Sequence, residues 1–156
     1  MLLVKSAQMK YPIILTFLIG TLISCSSDNA IDTEQCPEKW QLIRMSGSEA
    51  IIPPSTGIHM AWRESYLLYP DNTFIKTRER DNVVTEGKGT YAIVSLSDGE
   101  YLELVYKSKN DLIGNCTIEP KELLKINSED EMIGTWWACD GPGLFYEKVE
   151  YDCAND

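Results

Sequence analysis

From residue 38 onward, apolar and polar residues alternate with a period of two, in short runs divided by turn-forming clusters. That alternation is the signature of half-buried β-strands. Nine runs are predicted as strands: KWQLIRMS (39–46), WRESYLLY (62–69), TFIKTRER (73–80), GTYAIVSL (89–96), EYLELVYK (100–107), DLIGNCTI (111–118), KELLKINS (121–128), EMIGTWWA (131–138) and LFYEKVEY (144–151). In YLELVYK, Leu102, Leu104 and Tyr106 share one face and Tyr101, Glu103 and Val105 the other. In TYAIVSL, Ala92, Val94 and Leu96 oppose Tyr91, Ile93 and Ser95. Between the runs, YPDN (69–72) sets Pro70 where a type I turn needs a fixed φ, and SDG (97–99) suits a tight hairpin. EGKG (86–89) reads as another hairpin turn, and SKND, IEPKE and NSED are short and polar. Helical periodicity is absent from this part of the chain, and in the loop 47–60 Pro53, Pro54 and Gly57 argue against it. A meander of eight or nine strands is too long to leave two open edges. The predicted fold is therefore all-β, an antiparallel meander closed into an eight- to nine-stranded barrel.

The first 24 residues follow a different pattern. Lys5 and Lys10 precede the apolar stretch YPIILTFLIGTLIS (11–24), which contains no acid and is short for a membrane span. A polar stretch follows, as in a secretory signal. The segment ends Leu22-Ile23-Ser24-Cys25, which resembles the lipobox of bacterial lipoproteins. The resemblance implies that the chain is cut before Cys25 and lipidated on it. Ser26 in the next position implies outer-membrane sorting in a diderm bacterium. Residues 25–35 then form a flexible polar linker, and residues 36–156 the barrel domain. Partners expected on this basis are the membrane, through the anchor, and the occupants of the barrel or its loops.

Removing residues 1–24 takes away two lysines and no acids, so the formal charge moves from −10 to −12. A chain this acidic has no electrostatic footprint for nucleic acid. It is repelled by anionic head groups, so attachment must come from acyl chains. Four cysteines remain after Cys25: Cys36, Cys116, Cys139 and Cys153. In an oxidising compartment they predict two disulfides. A zinc site would need CxxC-like spacing or a set of histidines, and the chain has no such spacing and a single histidine; no metal or cofactor is expected. Three connectivities are possible; if strand eight closes on strand one, parity favours Cys36–Cys139 and leaves Cys116–Cys153, although Cys153 then falls at the wrong rim unless the tail turns back or the strand count is off by one.

Several features together resemble the lipocalin-like domain of small bacterial lipoproteins. They are Trp40 in KWQLI, a long first loop, the YLLYPDNTF hairpin (66–74), GKGTYAI (87–93) and the final GTWWACDGPGLFYEK. They cover most of residues 36–150, and their order carries the likeness. Lipocalins proper have Gly two positions before that tryptophan, where this chain has Glu38. The resemblance implies a barrel that holds a small hydrophobic or amphipathic ligand.

Candidate chemistry is sparse. Cys139-Asp140-Gly141-Pro142-Gly143 is built to turn the chain between two strands. The single histidine, His59, lies far from it, in the first loop with Ile58 and Met60. Nothing resembles GxSxG or a P-loop, and no enzymatic activity is expected. Trp136 and Trp137 are adjacent, so one faces the core and the other the surface. On the third run Phe74, Lys76, Arg78 and Arg80 share a face. Lysine and arginine usually mark a solvated face; turned inward, the same face would give a cationic interior suited to a carboxylate. Trp62, Glu64, Tyr66 and Leu68 form a second such face. The expected ligand-binding residues are Trp62, Tyr66, Phe74, Arg78, Leu104, Tyr106 and Trp136. The alternative is a filled barrel that acts through its rim loops, 47–60 and 139–143, on a protein partner or as an inhibitor.

Overall fold

The computed structural model describes residues 36–47 and 54–153. The signal segment, Cys25, the linker and part of the first loop lie outside the described residues.

The described residues form nine strands: β1 (Glu38–Ser46), β2 (Ser55–Thr56), β3 (Arg63–Leu68), β4 (Thr73–Arg80), β5 (Val83–Leu96), β6 (Gly99–Tyr106), β7 (Lys121–Ser128), β8 (Glu131–Gly134) and β9 (Gly143–Val149). Every neighbouring pair is antiparallel, and β1 also pairs with β9. Eight strands thus close into a barrel, and the two-residue β2 adds to the free side of β1 at Arg44 and Met45. The closing seam shifts register between Leu42 and Arg44, a bulge that bends β1 from one neighbour to the next. Short 3-10 turns at Gly57–His59 and Trp136–Cys139 complete the secondary structure of the described residues.

The barrel has an entry rim, where β1 begins, and a far rim, where it ends. The core is one cluster of alternate inward residues, among them Trp40, Leu42, Tyr66, Phe74, Leu104, Met132 and Tyr146. Burying side chains of this size supplies about 1.5–3 kcal/mol each, offset by the ordering of the chain.

Three sequence expectations are corrected. DLIGNCTI (111–118) is not a strand but part of the loop 107–120 at the far rim. Its backbone is satisfied by side chains instead of a ladder. Asn110 Oδ1 accepts from the Leu112 N–H at 3.0 Å, and Asn115 Nδ2 donates to the carbonyls of Glu119 and Lys121. EGKG (86–89) is not a turn but lies inside the fourteen-residue β5. A Cβ on Gly89 would stand 1.9 Å from the Val105 carbonyl oxygen and 2.7 Å from the Phe74 ring, so only glycine fits where these strands meet. EMIGTWWA stops being a strand at Gly134, where Thr135 turns into the helical region and the 3-10 turn begins.

Losing one strand reverses the parity of everything after it. β9 therefore runs back to the entry rim, with Val149 opposite Lys39, and delivers Cys153 to Cys36. Cys116 and Cys139 both lie at the far rim and pair there. The disulfides are Cys36–Cys153 and Cys116–Cys139, not the pairing that nine strands imply. A non-reducing digest is expected to yield these two linked peptides and no free thiol among the four. A Cys36–Cys139 peptide would mean that 111–118 forms a strand after all.

Candidate functional site

The barrel lumen is occupied by charge. Lys76 on β4 points inward and is completely buried, as Glu64 on β3 and Glu122 on β7 nearly are. Lys76 Nζ lies 3.0 Å from Glu64 Oε1 and 2.7 Å from Glu122 Oε1, and it donates to the Leu112 carbonyl at 2.7 Å. All three ammonium donors are used. Arg78, one turn of the pleat further along β4, donates through Nε to Glu64 Oε2 at 2.5 Å. Its two Nη groups reach the carbonyls of Asp111 and Leu112 at 3.0 and 3.1 Å. Two acids and two bases balance.

Three tyrosines complete the shell. Tyr146 donates to Glu64 Oε1, and Tyr66 and Tyr106 both donate to Glu122 Oε2. The Gly114 N–H donates to Glu122 Oε1. Tyr66 and Tyr146 meet edge to face at 5.2 Å, as do Phe74 and Tyr106 at 4.9 Å.

The network follows from strand register. Glu64 stands opposite Arg78, and Tyr66 opposite Lys76, across the β3–β4 hairpin. Glu122 comes from β7, which reaches the same level across the lumen. The loop 107–120 then folds over the far rim, seats the buried Leu112 on the two cations, and is stapled by Cys116–Cys139.

Electrostatics are consistent with a paired interior. Burial alone would raise the Glu64 carboxyl, but Lys76 and Arg78, with hydrogen bonds from Tyr146 and Lys76, outweigh it and hold it below the usual range. Burial and then the Glu64 carboxylate act oppositely on Arg78, and the carboxylate prevails, raising it. Burial, reinforced by the Glu122 and Glu64 charges, pushes Tyr66, Tyr106 and Tyr146 far above the normal phenol range.

The residues expected to bind a ligand divide between core and rim. Tyr66, Phe74, Leu104 and Tyr106 are buried in the core, where they fill space. Arg78 is tied at the far rim beneath Trp62, whose ring lies 4.6 Å from the guanidinium carbon. Trp136 is half-buried against the core, and a Cβ on Gly141 would touch its ring at 2.4 Å. Trp137 faces outward, 61% exposed. The inward course of Phe74, Lys76 and Arg78 overturns the solvated-face reading of that run. The carboxylate that such a face suits is already supplied, by Glu64 and Glu122.

Sequence reading passed over Glu122 and Tyr146. A signal was present: Glu122 shares an alternating face with Leu124 and Ile126, where a carboxylate needs a buried partner. His59 lies in an exposed 3-10 turn. Among the described residues no group of metal-ligating side chains is close enough to hold an ion.

Concavities among the described residues open elsewhere, among them one of about 190 Å³ on the outer wall beside Arg63 and Thr77, one of about 320 Å³ within the loop 109–119, and one of about 450 Å³ on the outer wall of β6–β9.

No protein-family model, curated protein or solved structure matches the chain. The fold itself is compatible with a lipocalin-like barrel: eight antiparallel strands in chain order, with the last closing on the first. Two disulfides accord with folding in an oxidising, extracytoplasmic compartment.

Proposed function

We propose that this protein is a lipid-anchored extracytoplasmic barrel with a filled interior, which acts as a protein-interaction module through its outer wall and rim loops. The observation that carries this reading is the charge-balanced quartet of Glu64, Lys76, Arg78 and Glu122, saturated by three tyrosines and sealed under Leu112. A ligand entering the lumen would have to displace those pairs, and breaking a buried ion pair costs about 3–5 kcal/mol. Holding a small apolar ligand inside is therefore the weaker reading. The anchor is Cys25, by the likeness of its surroundings to a lipobox, and Ser26 favours the outer membrane. Ten residues separate Cys25 from Cys36, a reach of at most about 40 Å when fully extended.

Native mass spectrometry of the purified domain tests the interior. The expected mass is that of the polypeptide with two disulfides; a stoichiometric small molecule, retained on gentle ionisation, would return function to the lumen. Fractionation tests the anchor. Cys25→Ser is expected to move the protein from the membrane pellet to the soluble fraction, and unchanged pelleting would rule out lipidation as the tether.

A further inference from the structure

The outer wall of β6–β9 carries an apolar groove that the filled interior leaves unexplained. Tyr101, Lys125, Ile133 and Phe145 face outward in one cross-strand row. Trp137 and Ala138 overhang it from the 3-10 turn, enclosing about 450 Å³. That volume suits a pocket for a bulky anchoring group. Trp137 is the only aromatic among the strongly exposed large apolar side chains of the described residues. Fold geometry explains its direction, since Trp136 takes the inward place, but not why an indole stands where any polar residue would serve.

Charge supplies the second observation. Glu131 and Glu147 lie directly opposite each other on the same outer face, two positions from Ile133 and Phe145. Like charges in that relation destabilise a sheet. Neither makes an ion pair among the described residues, and the adjoining turn adds the exposed Glu129 and Asp130. The groove's two cations are already engaged. Lys125 is held by Asp98 at 3.2 Å, and Arg44, at the far edge, stacks on Phe145 at 3.6 Å.

We infer that this groove docks a cationic, amphipathic segment of a partner protein. A bulky apolar side chain of the segment packs against Trp137, Ile133 and Phe145, and flanking lysines or arginines meet Glu129, Asp130, Glu131 and Glu147. The inference rests on the reading of the barrel as an interaction module and names its surface and the chemistry of its partner. Exposed indole and a cross-strand pair of unpaired acids then have one common reason: both await the same segment.

Fluorescence anisotropy with two labelled peptides tests it. One has a Leu-Phe-Leu centre flanked by lysines, and the other has glutamates in their place. The lysine peptide is expected to bind the unmodified barrel and the glutamate peptide not to. Trp137→Ala is expected to weaken binding about tenfold, as truncation of an interface anchor does. Glu131→Lys with Glu147→Lys keeps the cross-strand repulsion but inverts its sign, so it should reverse the preference between the peptides without altering the melting temperature. No binding, equal binding of both peptides, or indifference to Trp137→Ala overturns the inference. Binding lost instead on Ile118→Asp in the far-rim loop removes the groove while leaving the interaction-module reading intact. A small molecule found in the lumen by native mass spectrometry removes that reading whatever the peptides do.

Discussion

Lys76→Met is expected to destabilise the barrel by about 3–5 kcal/mol, among the largest effects available to a single substitution here. Methionine has nearly the volume of the lysine stem, so the loss is electrostatic rather than a cavity. It leaves Glu122 buried with only phenol and N–H donors around it, and it strips Glu64 of one of its two cations. It also leaves the Leu112 carbonyl dependent on Arg78 alone, which loosens the loop over the far rim. The compensating variant separates this account from simple packing. Lys76→Met combined with Glu122→Gln removes the stranded charge and keeps the Glu64–Arg78 pair balanced. The double variant is expected to be more stable than Lys76→Met alone, a coupling of about 1–3 kcal/mol in a double-mutant cycle. Urea titration reads both through the midpoint, with the slope unchanged. A Lys76→Met midpoint within about 0.5 kcal/mol of the parent, or purely additive losses in the double variant, would mean that the quartet contributes nothing specific.

Much of this interior was legible in the chain, one face at a time. Phe74, Lys76 and Arg78 alternate, as do Glu64, Tyr66 and Leu68, and each set shares a face of its strand. What period alone cannot tell is which face of a strand turns inward when one face holds cations and the other Ile75 and Thr77. Register decides it. With Glu64 opposite Arg78 and Tyr66 opposite Lys76, turning the hairpin inward pairs acid with base before any third strand arrives. Glu122 could not be assigned to the same lumen without the closure that brings β7 around. The misread strand at 111–118 had a different cause. Leu112 caps the lumen and Ile113 packs on the core, while Ile118 is exposed, so its apolar residues do not alternate in a ladder. Asn110 and Asn115 take over the backbone bonding that a neighbouring strand would otherwise supply. Gly87 and Gly89 misled in the opposite sense. They look like punctuation, yet Tyr106 and Phe74 occupy the places where their side chains would be.

Alkali is expected to unfold the domain steeply, because three of the seven tyrosines in residues 36–156 are held protonated by the fold. Tyr66, Tyr106 and Tyr146 are held protonated first by burial and then by the negative charges of Glu122 and Glu64. In the unfolded chain their phenols ionise near pH 10. Below that pH both states keep the protons, and the full stability is present. Above it the unfolded chain releases protons that the folded barrel retains, so stability falls as pH rises. Each phenol contributes a slope of about 1.4 kcal/mol per pH unit, and three give about 4 kcal/mol per unit. A domain of ordinary stability, about 5–15 kcal/mol, exhausts that within a few units above pH 10. Tyrosinate absorbance and near-ultraviolet circular dichroism followed together are expected to show two stages. The accessible phenols titrate first with the fold intact, and the last three appear only as the dichroism collapses. Tyr146→Phe should lower the slope of stability against pH by about a third while deleting one donor to Glu64. A smooth titration of all the tyrosines with unchanged dichroism would show that the lumen admits hydroxide and water, and a lumen that open would no longer be filled in the sense argued for Glu64, Lys76 and Glu122.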